Sequence, residues 1–299
     1  MMKIMMKIMM KIVDDMINTE KIERIVQLAL VSGYVKDSNA PISIILIAHP
    51  ESAKTKIIQK FKCPHTIETS DLSSKPITDI IIPKLEKNEL HHILIPDMIK
   101  VLAHKSTTVD ATMTFLNALM EEGVKNQLFF GQEFYMKKRH KCGLITSCTF
   151  EYYYKIFRKW HDIGFLSRFL PISFTYSTQT IAEINSQIAE DNFFDEVSKM
   201  KKIGKQQIII PKDISDKINF ITNEVVKNQL NDTIRIKVRG GKERAYKIEM
   251  YGFRLHRQLR KLLKSITLID GRKVCQWQDM TELIKLIDYV RLPKNPKVL

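Results

Sequence analysis

Glycine is scarce in this chain, at 10 of 299 residues against an average usage of about 7%. Turns that need left-handed backbone must therefore be built by residues with side chains. Cysteine is also sparse: Cys63, Cys142, Cys148 and Cys275 make no C-x-x-C pair, which argues against a disulfide scaffold and predicts reduced thiols in a cytoplasmic protein. Long apolar runs are missing where a membrane anchor or secretory leader would need one. The first twelve residues repeat Met-Met-Lys-Ile three times, with apolar runs of only three residues, too short for a transmembrane span or an ordinary signal peptide. Acidic residues are outnumbered 33 to 48 by Lys and Arg, a formal charge of +15. That excess predicts attraction to a polyanion, nucleic acid foremost, with an acidic partner or membrane surface as the alternatives.

A 44% apolar content in 299 residues supports a real core in one large domain or two moderate ones. The opening repeat sets Lys3, Lys7 and Lys11 on one helical stripe, and residues 1–19 read as a basic, loosely packed extension. Cys63-Pro-His65 and His140-Lys-Cys142 together hold two thiols and two imidazoles, a donor set for zinc, although the spacing of one is unusual for a structural site.

Glu20 to Tyr34 carries apolar residues at helical spacing and ends near Gly33; Ile42 to Ala48 is a continuous apolar run of strand length. After a helix from Lys54 to Phe61 come a polar stretch, a short apolar run Ile80–Ile82, and His91 to Asp97, a second buried strand ending in an acid. Thr107 and Asp110 have capping-box spacing ahead of a helix that Gly123 ends. Gly143 to Cys148 and Leu170 to Thr175 give two more strands. Short apolar strands separated by helices predict an α/β domain over 20–177, a parallel sheet with helices on both faces. Beyond Thr178 the patterns are amphipathic helices, Ile214–Leu230, Arg244–Leu268 and Gln278–Val290, so a helical domain over 178–299 is expected.

The segment joining the first strand to its helix is Ala48-His-Pro-Glu51-Ser52-Ala53-Lys54-Thr55. A phosphate-binding P-loop spaces two glycines four residues apart before Lys-Ser/Thr, so that backbone N–H groups cradle phosphates, the Lys reaches the terminal ones and the hydroxyl holds Mg²⁺. Ala48 and Ala53 stand at the glycine positions here, with Lys54 and Thr55 intact. Each alanine forced into left-handed backbone costs about 1–2 kcal/mol, which weakens such a loop without abolishing it.

The order of strand, loop, helix, strand ending in Asp97, capped helix, strand ending in Thr146-Ser147, then Leu166-Ser-Arg168-Phe169 and a helical region resembles the AAA+ ATPases. Within them it looks most like the minichromosome-maintenance helicase branch. The resemblance spans roughly Lys21 to Val290 and implies a three-layer P-loop fold with a helical lid, binding ATP and Mg²⁺. It makes Ala48, Glu51, Ser52, Ala53, Lys54 and Thr55 the nucleotide loop, with Thr55 and Asp97 on the metal. Arg168 matches the arginine finger, which reaches a neighbouring subunit's site and so implies a homo-oligomer or ring. Arg257, in Arg257-Gln-Leu-Arg260, matches the sensor-2 motif, and Thr146 or Ser147 takes the sensor-1 place, where the family more often has Asn. Where the family has Asp-Glu, this chain has Pro96-Asp97-Met98. A single carboxylate implies slow hydrolysis, since a positioned base contributes roughly 10²–10⁴-fold.

Lys137, Lys138, Arg139 and Lys141 precede the sensor-1 strand, where that branch has a hairpin touching DNA. Cations there would engage phosphates with strong salt dependence, and Phe129, Phe130, Phe134 and Tyr135 could stack on bases. A second basic group, Lys237, Arg239, Lys242 and Arg244 around Gly240-Gly241, reads as a turn. The expectation is an ATP-binding protein acting on nucleic acid through backbone contacts, a replication motor or loader subunit such as a mobile element or virus would carry. The alternative is a DNA-binding scaffold of the same shape without turnover.

Overall fold

Strand β1 (Ser43–Ala48) is buried at every position, and a strand with no solvent face is stable only between covering helices. The computed structural model describes residues 19–70, 72–129, 132–189, 197–200, 203–230, 232–237, 243–248 and 251–293. The Met-Met-Lys-Ile repeat, Phe130, Arg239, the Gly240-Gly241 turn and Lys242 lie outside them, as do the side chains of 126–135 and 231–250.

Four further strands run parallel to β1: β2 (Thr66–Glu68), β3 (His92–Ile95), β4 (Gly143–Thr149) and β5 (Phe169–Ser173), in the order β2-β3-β4-β1-β5. Ile45 of β1 sits between Thr146 of β4 and Pro171 of β5. A proline, which has no N–H to give a ladder, is tolerated because β5 lies at the edge of the sheet. From β1 the chain crosses to the far edge at β2, steps back through β3 to β4, and then passes over β1 to β5. Right-handed crossovers put α2 (Lys54–Gln59) on one face and α4 (Ser106–Met120) and α5 (Phe150–Asp162) on the other.

Helix α1 (Thr19–Val31) buries Ile22, Ile25, Val26, Leu28, Ala29, Leu30 and Val31. It packs on α2 and on two C-terminal helices, α8 (Phe253–Ile269) and α9 (Trp277–Ile287). Those helices, with α6 (Thr178–Ala189) and α7 (Lys212–Val225) before them, follow the change of character expected at Thr178. Their apolar residues nevertheless join the same core as the sheet, and Tyr289 O accepts a hydrogen bond from Ser173 N at the edge of β5.

Several local expectations give way. The helix read from Arg244 begins at Phe253. Before it, Asp232–Lys237 and Glu243–Ile248 form an antiparallel ribbon, and the alternation of Ile234 and Ile236 is the strand signal that the helical reading passed over. The capping box fails as well: α4 starts at Ser106, Lys105 stands at its N-cap without a side-chain bond, and Thr107 is already helical. The apolar run Ile80–Ile82, to which the sequence reading gave no type, belongs to helical turns from Ser74 to Glu86 that include a π turn, Ile77–Ile81. Gly123 behaves as expected, with φ +82 and its N–H on Ala118 O.

His91 and His92 close the amino end of β3 under two glycines. A Cβ on Gly33 would come within 2.7 Å of His91 Cβ, and one on Gly143 within 2.5 Å of His92 Cδ2. Burial holds both imidazoles down at about 3, helped by neighbouring cationic groups. The unfolded chain therefore binds more protons between about pH 3 and the ordinary histidine value near 6.5. Stability from these two groups is complete above pH 6.5 and falls away as the pH drops toward 3. Thermal melts at pH 7 and pH 5 are expected to show a loss at the lower pH that shrinks when His91 and His92 are both changed to Asn, relative to each variant's own pH 7 value.

Candidate functional site

Ligands of open α/β sheets bind beyond the carboxyl ends of the strands, where neighbouring strands send their chains in opposite directions. Here β1 leads to one edge of the sheet and its neighbour β4 to the other, so the switch point at which that rule sets the crevice falls between Ala48 and Thr149, which are paired in register. The loop of residues 49–53 lies at this crevice.

Two residues of that loop have left-handed backbone, Glu51 at φ 59 and Ala53 at φ 56. Ala48 does not; it ends β1 in extended geometry. Of the two alanines standing where glycine was expected, only Ala53 carries strain, which it shares with Glu51. The loop is braced from β5: Tyr176, three residues beyond the strand, donates its hydroxyl to Ser52 O at 2.9 Å. Burial pushes that phenol up to about 12, which keeps it a donor. On the other side His49 stands edge-on to Phe150, with ring centroids 4.7 Å apart.

Lys54 is 9% exposed. Its ammonium gives hydrogen bonds to Ala48 O at 3.2 Å, to Ser52 Oγ at 3.0 Å and to His49 O, satisfying its three donors within its own loop. Burial lowers its pKa, while Cys148 and Asp97 oppose that shift. Since burial pushes the Cys148 thiol up to about 12, Asp97 is the anion that acts on Lys54 at neutral pH. Asp97 accepts from Ile99 N at 3.0 Å and so caps the short helix α3 (Met98–Leu102). Thr55 is exposed at the start of α2.

The two sensor-1 candidates separate. Ser147 donates to Pro96 O at 2.6 Å, tying β4 to the end of β3 beside Asp97. Thr146 is fully buried between Ile45 and Ile95, its hydroxyl unpartnered, deeper in the sheet than the crevice lip. Residues that sequence reasoning missed complete the lip: Cys148, Tyr176, and Thr149, whose hydroxyl caps α5 through Tyr152 N. Thr149 carried a readable signal, a hydroxyl residue just before a helix; Tyr176 carried none.

Arg168 and Arg257 lie elsewhere. Arg168 precedes the first residue of β5, and Arg257 lines a cleft with Ile42 and Ser43 at the start of β1. Both are at the amino end of the sheet, roughly 17 Å from the crevice by the rise of a six-residue strand. Arg168 pairs with Glu121 at 3.3 Å and Glu122 at 3.4 Å, and donates to Gly164 O. Arg254 grips Glu121 through both carboxylate oxygens. Burial alone would raise Glu121, but hydrogen bonds from Arg254 and the charges of Arg254, Arg168 and Arg257 hold it below its ordinary value.

The basic segment before β4 is the second strand of an antiparallel hairpin, Val124–Phe129 with Gln132–His140. Lys137, Lys138 and Arg139 are exposed, and Lys141 donates to Ser38 O. The zinc expectation fails. Cys63 meets the Tyr34 hydroxyl, Cys142 is fully buried against Gly143 O, and no group of three His, Cys, Asp or Glu among the described residues could hold a metal ion. Tyr153 and Trp160 are core residues.

The arrangement of Lys54, Asp97 and Thr55 at one crevice fits a phosphate and a divalent cation, which is commonly held by one or two carboxylates together with the phosphates. The strain at Ala53 has a direct check. Ala53→Gly relieves about 1–2 kcal/mol of left-handed backbone and costs up to about 1 kcal/mol of unfolded-chain entropy. It is expected to stabilise the fold by up to about 1 kcal/mol in denaturant unfolding, while Ala48→Gly, with no strain to relieve, destabilises it. No protein-family model matches this chain, and no curated protein shows significant similarity to it.

Proposed function

We propose that the chain is a nucleotide-binding protein of AAA+ type that acts on nucleic acid and hydrolyses ATP slowly. The observation that carries this reading is the burial of Lys54 at the β1/β4 crevice with Asp97 as its counter-charge. When bound, ATP with Mg²⁺ supplies the phosphoryl group and the positive charge that neutralises it. Lys54 would exchange its loop carbonyls for phosphate oxygens, Thr55 and Asp97 would hold the metal, and Tyr176 would keep the loop in place through Ser52. Ser147, bonded to Pro96 O, would fix the end of β3 so that Asp97 stays beside Lys54. Without a second acid next to Asp97, water activation is weak and turnover slow.

Arg168 stands too far from its own chain's Lys54 to serve it, and Arg257 shares its end of the sheet. Both would meet the nucleotide only in a neighbouring copy, so turnover requires a homo-oligomer, in which Arg168 must first leave Glu121 and Glu122. The exposed cations of the 124–140 hairpin are the nucleic-acid contact of this reading. A second reading is favoured by two observations: Asp97 is already used as a helix cap, and the ammonium of Lys54 is satisfied by its own loop. In that reading the chain is a DNA-binding scaffold without turnover.

Titration of a fluorescent ATP analogue is expected to give binding to the wild type and a weakening of about tenfold to a hundredfold for Lys54→Ala, the scale of one charge-assisted hydrogen bond. Equal binding by both removes the ATP site, and binding without DNA-stimulated turnover at high protein concentration selects the scaffold. For the hairpin, Lys137→Ala, Lys138→Ala and Arg139→Ala together are expected to flatten the salt dependence of DNA affinity by about one unit of slope for each phosphate no longer engaged. An unchanged slope assigns DNA binding elsewhere.

A further inference from the structure

Tyr153 and Phe157, four residues apart and so on one side of α5, line a cleft whose other walls include Leu166, Pro171 of β5, Leu255 of α8 and Leu292 beyond α9. The cleft holds about 430 Å³, within the roughly 300–1,000 Å³ usual for small-molecule sites. It shares no residue with the 49–53 loop or with Asp97, so it is separate from the crevice at β1 and β4.

Five of these six side chains are apolar, and the sixth has a polar atom to spare. Tyr153 is 0% exposed, and its hydroxyl makes no hydrogen bond among the described residues. Buried hydroxyls are nearly always partnered, because a bare one has given up its bonds to water for nothing. Burial pushes this phenol's pKa well up, so it stays protonated and offers a donor. The partner it lacks is an acceptor.

The rest of the lining narrows the class of occupant. Arg254 holds both Ser167 and Glu121, the carboxylate in an ion pair of 2.6 Å, and Arg257 is committed to a neighbouring copy in the reading above. An uncharged occupant leaves those pairs intact. Rings face the space: Phe157, with His161 stacked on it at a centroid distance of 5.5 Å, and Phe253. Such walls favour a flat aromatic body, which packs offset or edge-on against them.

We propose that this cleft binds an uncharged aromatic carbonyl compound, its rings against Phe157 and Leu255 and its oxygen accepting from the Tyr153 hydroxyl. The proposal stands apart from the nucleotide and nucleic-acid readings.

Benzophenone is the probe, and diphenylmethane, of similar shape but without the carbonyl, is its counterpart. Binding of each to the full chain is measured by calorimetry, and irradiated benzophenone, which attaches to nearby C–H groups, is located by peptide mass spectrometry. The wild type is expected to bind benzophenone about threefold to tenfold more tightly than diphenylmethane, the scale of one hydrogen bond between neutral partners. The label should fall on the segments of Phe157, Leu166, Leu255 or Leu292. Tyr153→Phe is expected to bind the two probes equally and, without ligand, to melt no lower than the wild type, since the hydroxyl it removes has no partner to lose. Leu166→Trp, which fills the cleft from a half-buried position, is expected to abolish binding of both while melting and sedimentation stay as in the wild type. Equal binding of the two probes by the wild type overturns the proposal, as does binding of neither. A preference that survives in Tyr153→Phe, binding that survives in a folded Leu166→Trp, or label on other segments overturns it too. A lower melting temperature for Tyr153→Phe shows the hydroxyl already bonded in the free protein, and the acceptor role then falls.

Discussion

Everything in this molecule is arranged around a strand that has no solvent face. β1 buries Ile44, Ile45, Leu46, Ile47 and Ala48 completely, and each fully buried Ile or Leu contributes about 1.5–3 kcal/mol. Covering both faces requires helices above and below, hence crossover connections of one hand, hence a sheet in which β1 and β4 send their chains apart. The crevice at their ends follows from burying β1. The same magnitudes explain how a loop with left-handed Glu51 and Ala53 persists: its strain, about 1–2 kcal/mol per residue, is comparable to the burial of one isoleucine per strained position, and several are buried directly beneath it.

Among the described residues two ammonium groups are buried, and backbone carbonyls hold both. Lys54 is gripped by its own loop at the carboxyl end of the sheet. At the amino end Lys261 of α8 donates to Asn39 O, Ala40 O and Asp37, and burial lowers it to about 8 against the opposing pull of Asp37. Lys261 fastens a C-terminal helix to the segment leading into β1, and Arg254 and Gln258, on the same helix, fasten it to Glu121, Ser167 and Arg168 O. The amino end is thus a junction of four segments that are remote in sequence, which is why Arg168 and Arg254 share Glu121 while Lys54 stands apart.

Much of the frame was legible from local pattern. Continuous apolar runs marked β1, β3, β4 and β5, because a strand buried on both faces needs no alternation; Asp97 was legible as the acid ending one of them, and the exposed cations Lys137, Lys138 and Arg139 as a basic run before β4. The edge strand β2 was not. Thr66–Glu68 is short and largely polar, and it is a strand only because β3 offers it a partner. The ribbon before α8 was missed because its charges also fit a helical face, and periodicity over six residues seldom separates the two. The alanines illustrate a further limit: the same residue type at two motif positions proved strained at Ala53 and ordinary at Ala48, a difference carried by φ alone.

The sequence by itself determined the α/β class, the buried strands, the basic charge and the chemistry available at Lys54, Thr55 and Asp97, since these depend on residue type and short-range spacing. Only the tertiary structure decided which of those groups meet. It put Lys54 and Asp97 at one end of the sheet and Arg168 and Arg257 at the other, buried Thr146, and brought Tyr176 back to a loop 124 residues away. The reason is that strand order is set by how crossovers pack across the whole sheet, and no local pattern records which strand will lie beside which.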